Sequence, residues 1–338
     1  MHVFLYEWVT GGGLVEESGR LPSSLLAEGA AMASALAADF LQLTDSRVTV
    51  LRDLRLDEPA YTGCEIIEVH SSAQQFELLA ACAEKADYTL AIAPEFDRHL
   101  HNTVAHLQSG SSISLNAGLE FINLTADKRA TAERLAIHAV PVPQATLVRG
   151  DEERLPDDFP YPAVLKPVDG AGSQHTLRVE GALDQPDPHP WPRRLEQYIL
   201  GRPASVLFIC GPSGETPLPP CWQRLSTDGR FQYLGGSLIL VKALAQRATD
   251  LASRALSALA PVSGFIGVDL ILGEATNGSE DFVIEVNPRV TTSYAGLRAV
   301  VKENLAGMAI AAATGSPITP TSRGIPLEFT ADGQITLP

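Results

Sequence analysis

Along the first third of the chain, short apolar runs alternate with apolar positions at helical spacing. HVFLYEW from His2, RVTVL from Arg47 and YTLAIAP from Tyr88 have the length and the β-branched and aromatic content of strands. Between them, the segments from Pro22 to Ala38 and from Ala73 to Lys85 repeat as helices do. This alternation predicts an open, mostly parallel sheet flanked by helices. A further helical pattern runs from Ala126 to His138 and stops at Pro141-Val142-Pro143, where two prolines remove backbone donors.

From Gln144 onward the pattern changes to strands with turns typical of antiparallel pairs: YPAVLKPV from Tyr161, Leu195 to Ile199, ASVLFIC from Ala204 and FQYLGGSLILV from Phe231. A helix from Lys242 to Ala260 precedes two closing strands, GFIGVDLIL from Gly264 and DFVIEV from Asp281. The proline-rich pieces DQPDPHPWP from Asp184 and GPSGETPLPP from Gly211 read as surface loops, because proline removes ladder hydrogen bonds. There is no internal repeat.

A chain of 338 residues exceeds one ordinary core and suits two or three packed domains. We divide it into an N-terminal α/β domain (1–118), a central lobe (119–194) and a C-terminal lobe (195–338), in a monomer or a small oligomer such as a homodimer. The 25 Lys and Arg against 40 Asp and Glu, a formal charge of −15, would repel a nucleic-acid backbone, and no local basic stripe overrides that. Cys64, Cys82, Cys210 and Cys221 lie far apart and form no CxxC pair, as expected of reduced thiols in the cytoplasm. The start of the chain lacks a signal-peptide pattern, and no apolar stretch looks long enough to span a bilayer.

The chemistry gathers near the end. Asp269 sits amid apolar neighbours in GFIGVDLIL, where an isolated carboxylate would cost several kcal/mol, so something must compensate it. In DFVIEVNPR, Glu285 and Asn287 are two apart on a strand and project from one face. Two carboxylates and an amide carbonyl are hard oxygen donors suited to Mg²⁺, which completes its octahedron with water and phosphate oxygens. The competing reading makes Asp269 and Glu285 ordinary strand residues paired with Lys or Arg. Upstream, AVLKPVDGAGS places Lys166 at the end of an apolar strand, followed by Asp169, Gly170, Ala171, Gly172 and Ser173. Such a turn can cover phosphates with its amides, and it can equally be a hairpin turn without a ligand.

Taken in order, these pieces resemble the ATP-grasp superfamily from about Thr125 to Thr314, and the N-terminal domain resembles its Rossmann-like pre-ATP-grasp companion. The resemblance implies an ATP-grasp fold of the α/β class and an ATP- and Mg²⁺-dependent ligase, with Mn²⁺ as a substitute, acting on small-molecule carboxylate and amine substrates through an acyl phosphate. ADKRA resembles the first phosphate-contacting lysine segment and implies Lys128 on the nucleotide. LKPVDGAGS resembles the second lysine and mobile phosphate loop, implying Lys166, Gly170, Gly172 and Ser173. LEQYI resembles the segment that holds adenine, implying Glu196, Gln197, Tyr198 and Ile199. GVDLI and IEVNPR imply Asp269, Glu285 and Asn287 on the metal and Arg289 on the transferred phosphoryl group. Many members carry a ribose-contacting glutamate in a G-x-E-x-S stretch, where GRPAS here has Ala204.

Within the superfamily, EWVTGGG with the following EES, LAIAPEFD and the overall length resemble the branch containing tyramine-glutamate ligase of methanofuran biosynthesis. That resemblance implies L-glutamate joined to tyramine or a related amine. The amine's ring needs an apolar wall with a polar end, and TTSYAG after the metal-binding strand has two readings: Tyr294 lines that wall with Thr291 and Thr292 bonding the amino acid, or the three are a packed aromatic and two turn residues. The alternatives are another amino-acid or peptide ligase of the same architecture, a thiol acceptor or carboxylase chemistry, or a regulatory module that binds nucleotide without turnover.

Other features lead elsewhere. Gly11 to Gly13 lack the G-x-G-x-x-G spacing of a dinucleotide site; they form a substrate-facing loop or an ordinary tight turn, with Glu7 and Thr10 as candidates beside them. His99, His101 and His106 do not carry zinc spacing and suit a loop-helix junction. No GxSxG elbow appears, so Ser173 reads as a phosphate donor rather than a nucleophile.

Overall fold

The computed structural model describes the chain except residues 58, 60, 151–153, 171, 185, 260 and 338. Ala171 of the glycine loop and Ala260, the expected end of a helix, therefore lie outside the described residues.

The N-terminal part contains β1 (His2–Glu7), α1 (Ser23–Leu41), β2 (Arg47–Asp53), β3 (Glu65–Val69), α2 (Ser72–Lys85), β4 (Tyr88–Ile92), α3 (His99–Leu107) and β5 (Ile113–Ser114). The strands form a parallel sheet in the order β3-β2-β1-β4-β5. β1 lies in its middle with every residue buried, which is why HVFLYE reads as a continuous apolar run rather than an alternating one. α1 is long and apolar enough to cross a membrane by length and composition, contrary to the reading from sequence. Its Met32, Ala33, Leu36 and Phe40 instead fill the core with Val3 and Leu5 of β1. Met32, Leu36 and Phe40 recur every four residues and form the stripe that a core-facing helix presents.

α4 (Leu119–Ala126) and α5 (Lys128–Ile137) connect to the rest. Asp127 caps α5, accepting from the amides of Arg129 and Ala130 at 2.9 Å each, and so fixes where Lys128 emerges. β6 (Ala145–Val148), β7 (Ala163–Pro167), β8 (Leu177–Val179) and β9 (Arg193–Gln197) form a four-stranded antiparallel sheet in the order β6-β9-β7-β8. β9 runs across the boundary expected at 194/195, because its whole length pairs with β7.

The last part is a larger antiparallel sheet. β10 (Arg202–Gly211), β11 (Gly214–Pro217), β12 (Cys221–Leu225) and β13 (Tyr233–Leu238) come first, then α6 (Lys242–Leu259), β14 (Gly264–Leu272) and β15 (Phe282–Asn287). α7 (Ser293–Val300), α8 (Leu305–Ala313), β16 (Glu328–Thr330) and β17 (Ile335–Thr336) complete it. The order is β15-β14-β10-β12-β13-β16-β17, with β11 folded onto β10. The segment from Gly211 is thus a hairpin and not only a loop: Pro217 sits on a marginal strand, where a missing donor does no harm.

The N-terminal sheet and the large sheet share a core in which α1 meets α7 and α8. Buried Asp39 of α1 ties them together: Tyr294 donates to it at 2.7 Å, Arg298 forms an ion pair with it, and Asn304 donates to its carbonyl at 2.8 Å. Tyr294 is fully buried and packs edge-on against Phe265. Of its two readings the substrate wall is therefore excluded and the packed aromatic is the one found; its hydroxyl and ring are both committed to the core.

Candidate active site

β14 and β15 pair antiparallel with Asp269 opposite Glu285 and Gly267 opposite Asn287. Residues two apart on a strand share a face, so these positions turn to one side while Val268 and Val286 enter the core. A Cβ on Gly267 would lie 2.3 Å from Thr291 Cγ2, and only glycine lets Thr291 come this close to the strand.

The face opens into a cavity of about 230 Å³ between the small and large sheets. The residues expected from sequence to hold nucleotide, metal and phosphoryl group line it: Lys128, Lys166, Gly170, Gly172, Ser173, Glu196, Gln197, Tyr198, Ile199, Asp269, Glu285, Asn287 and Arg289. Thr291 and Thr292 line it as well, whereas Glu7, Thr10 and Gly11 to Gly13 do not. Those glycines form the tight turn of the two readings, with Gly11 N donating to Glu7 O at 2.7 Å and Gly13 N to Trp8 O at 2.8 Å. The Glu7 carboxylate accepts from the amides of Val9 and Thr10 at 3.1 and 2.7 Å. His99 stacks on Trp8 at 4.3 Å at the start of α3, the junction expected for it.

Several of the charges in the cavity are paired. Lys128 Nζ lies 2.8 Å from Glu285 Oε1 and donates to Gly170 O at 2.7 Å, linking a metal-face carboxylate to the glycine loop. Burial alone would lower the Lys128 ammonium, but Glu285 outweighs it and holds it above its ordinary value. Glu285 is conversely held below the usual carboxylate range, since Lys128 and Lys166 overcome the opposing effect of burial. Lys166 Nζ lies 2.7 Å from Glu196 Oε2, and Arg194 Nε lies 2.5 Å from Glu196 Oε1.

Asp269 accepts from Gln223 Nε2 at 2.9 Å and from Asn287 Nδ2 at 3.0 Å. Burial first, and the facing Glu285 second, push its carboxyl up to about 7. Two carboxylates set opposite each other, one strained toward protonation, form a place that a cation would relieve. With the Asn287 nitrogen on Asp269, its amide oxygen is left as a third hard donor, which fits Mg²⁺. Among the described residues no group of three or more His, Cys, Asp or Glu gathers, so the soft-ligand pattern of zinc does not arise here.

Arg289 is anchored by a residue that sequence reading passed over. Its Nη2 donates to Glu95 Oε2 at 3.3 Å, and its Nε approaches Oε1 at 2.9 Å off the hydrogen-bond direction. Glu95 follows β4 at the carboxyl edge of the parallel sheet, inside LAIAPEFD. Glu28 of α1 and Gln223 of β12 also line the cavity without having been anticipated.

At the other end, Tyr198 stacks on Phe231, with ring centroids 6.1 Å apart, and carries the Arg178 guanidinium at 4.6 Å. Ile199, Val164, Leu270, Ile271 and Ile284 add apolar surface there. Ser173 Oγ donates to Phe231 O at 2.9 Å, so the glycine loop rests on the large sheet's hairpin. Counting along G-x-E-x-S puts Pro203, not Ala204, at the glutamate position. The strand agrees: Pro203 and Ser205 line the cavity, and Ala204 is fully buried in the core. Neither side chain offers an acceptor for ribose.

A family profile described as an ATP-grasp domain matches residues 125–293, half of the chain, and a pre ATP-grasp 3 domain matches residues 46–122. The chain belongs to the ATP-grasp family. It is 24% identical to a tyramine–L-glutamate ligase of Methanocaldococcus fervens over 94% of this chain and 96% of that one. To the tyramine–L-glutamate ligase of Methanocaldococcus jannaschii it is 25% identical, over 83% and 82%. The ADP complex of an N5-carboxyaminoimidazole ribonucleotide synthetase superposes with a TM-score of 0.71 at 17% identity, covering 97% of this chain and 81% of that one, a likeness of fold. As an ATP-grasp enzyme the chain binds ATP and is a carboxylate-amine ligase that forms a carbon–nitrogen bond.

Proposed function

We propose that this ligase phosphorylates the side-chain carboxylate of L-glutamate and joins it to tyramine or a related amine, as in making a methanofuran-type cofactor. The observation that carries the reading is the meeting of Asp269, Glu285 and Asn287 with Lys128, Lys166 and Arg289 in one cavity. Mere nucleotide binding does not need that full set. Two tyramine–L-glutamate ligases aligned over most of their length support the choice of substrates.

In this proposal Asp269, Glu285 and Asn287 hold Mg²⁺, or Mn²⁺, which when bound neutralises phosphate charge. Lys128 and Lys166 meet phosphate oxygens, and the Gly170 to Ser173 loop lies over them and excludes water from the activated acid. Arg289, held by Glu95, balances charge on the phosphoryl group during transfer. A carboxylate oxygen attacks the γ-phosphorus and ADP leaves with the electron pair of the broken P–O bond; the amine nitrogen then attacks the carbonyl carbon of the acyl phosphate and gives up one proton to water or the departing phosphate, and phosphate leaves with the electron pair of the broken C–O bond. The base lies between the sheets against Tyr198, Ile199 and the aliphatic residues beside them. Since Tyr294 is in the core, Tyr233 is the aromatic side chain proposed to face the amine's ring; it lines the cavity and feels the charges of Asp269 and Glu28.

The three-part division is kept as a proposal, with its second boundary moved past Gln197 to keep β9 in the small sheet. The proposed location is the cytoplasm, supported by four free cysteines. The test is incubation with ATP, Mg²⁺, L-glutamate and tyramine: a γ-glutamyl amide should appear by mass spectrometry, and ADP release should require both substrates. If another acid and amine pair turns over rapidly while this pair is inert, the substrate assignment falls and the ligase stands.

A further inference from the structure

The acidic residues in and around the cavity are not all partnered alike. Glu196 has Lys166 and Arg194, Glu285 has Lys128, and Glu95 has Arg289. Glu28 lines the same cavity, yet among the described residues no Lys, Arg or His makes an ion pair with it. Its carboxylate accepts only two hydroxyl hydrogen bonds, from Ser24 Oγ and Thr292 Oγ1, each at 3.2 Å. Arg289, a cation whose field reaches it, is already held by Glu95. Two long hydroxyl bonds do not neutralise a carboxylate, and attraction to a cation in a partly desolvated cavity is several times stronger than in water.

The position of Glu28 is as informative as its partners. Its neighbour Gly29 lies against the end of β1, where an added Cβ would come within 2.5 Å of Glu7 Oε1, so the register of α1 is fixed just where Glu28 faces the cavity. Thr292 belongs to the segment that carries Arg289 and Thr291 out of β15. Glu28 therefore borders the end of the cavity where the phosphoryl group would be transferred. It comes from the N-terminal domain and not from the two sheets that enclose the Tyr198 end.

We propose that Glu28, oriented by Ser24 and Thr292, is a specificity-determining residue that binds a primary ammonium group of a substrate. This rests on the ligase reading and deepens it. The ammonium has two sources, the incoming amine and the α-ammonium of the amino acid. Either one entering here would be balanced by a carboxylate that, unlike Glu196, Glu285 and Glu95, has no ion pair among the described residues.

The test compares wild type with Glu28→Gln by calorimetric titration in the presence of Mg²⁺ and a non-hydrolysable ATP analogue. The probes are tyramine against 4-ethylphenol, L-glutamate against glutarate, and a panel of other primary amines and amino acids. Each named pair differs by the amino group alone. Losing a charge-assisted hydrogen bond should weaken the ammonium-bearing probe on the order of tenfold to a hundredfold and leave the analogue without the amino group within about twofold. Unchanged affinity for the ATP analogue serves as the check that the variant is folded. Loss on tyramine alone places the amine at Glu28; loss on glutamate alone places the amino acid there. Loss on a different ammonium compound, with tyramine and glutamate not bound by wild type, keeps the ammonium site and removes the proposed substrates. Binding of tyramine or glutamate that Glu28→Gln does not alter overturns the site while keeping the substrates. Failure of wild type to bind any ammonium compound in the panel also overturns it.

Discussion

Two buried cations share one carboxylate at Glu196, and that sharing sets up a measurable imbalance. The side chains of Lys166, Arg194 and Glu196 are 7, 7 and 6% exposed, so water screens none of the three. Glu196→Gln keeps the shape but removes the one negative charge among the described residues that pairs with both cations. Breaking a buried pair by taking away one partner destabilises by about 3–5 kcal/mol. The retained amide oxygen can still accept one hydrogen bond, which puts the expectation near 3 kcal/mol. At roughly 2 °C per kcal/mol for a large domain, the melting temperature without nucleotide should fall by about 6 °C. Triphosphate brings negative charge to Lys166 and should recover much of that loss, so an ATP analogue at saturation should raise the variant's melting temperature more than it raises wild type's. Lys166→Ala in the same background should cost less than it does alone, because the charge it removes is no longer balanced. Differential scanning calorimetry of the two single variants and the double variant reads all of this. Melting temperatures within about 1 °C of wild type, or single effects that add within about 0.5 kcal/mol, would refute the reasoning.

The remaining expectations concern the metal face, the loop and Glu7. Asp269→Asn and Glu285→Gln should each lower turnover by on the order of a hundredfold or more without changing the far-ultraviolet circular dichroism, and activity within twofold of wild type in both would remove the site. Limited proteolysis should cut the Gly170 to Ser173 loop more slowly when an ATP analogue is bound, since Lys128 and Ser173 already hold it lightly; equal cleavage would count against closure. Burial raises the Glu7 carboxyl from 4.5 to about 7, so the folded state keeps its proton where the unfolded chain has lost it. Stability from this group is full below pH 4.5 and is lost as pH rises to about 7. The difference in unfolding free energy between wild type and Glu7→Gln should therefore change across pH 4.5–7 and be flat above it; a flat difference throughout would contradict this.

Sequence reading found the parallel sheet and the antiparallel lobes because each depends on local pattern, whereas most of the cavity-lining residues came from the ordered resemblance to ATP-grasp proteins. β1 is a continuous apolar run since both faces are covered, and Glu285 and Asn287 share a face by strand periodicity alone. What escaped it depends on contacts distant in sequence. Nothing near Glu28 marks it, since its partner Thr292 lies 264 residues away, and Arg289 finds Glu95 across 194 residues. Glu95 did carry a signal, an acid just past the carboxyl end of a parallel strand, where ligand sites gather. For Tyr294 the sequence left a substrate wall and a packed aromatic both open, because TTSYAG alone does not show that the segment starts α7 or that Asp39 draws the hydroxyl into the core. β3 is only five residues of EIIEV, too short and too charged to stand out before its pairing with β2 is known.

The central claim is that the carboxylate is activated by phosphorylation before the amine attacks. Carrying out the reaction with substrate labelled by ¹⁸O in both oxygens of the reacting carboxylate tests it most directly, because an acyl phosphate hands one of those oxygens to the departing phosphate. Mass spectrometry of the products is predicted to find one ¹⁸O in each inorganic phosphate released and one retained in the amide, with ADP as the nucleotide product. Unlabelled phosphate alongside amide formation, or AMP in place of ADP, would contradict the account.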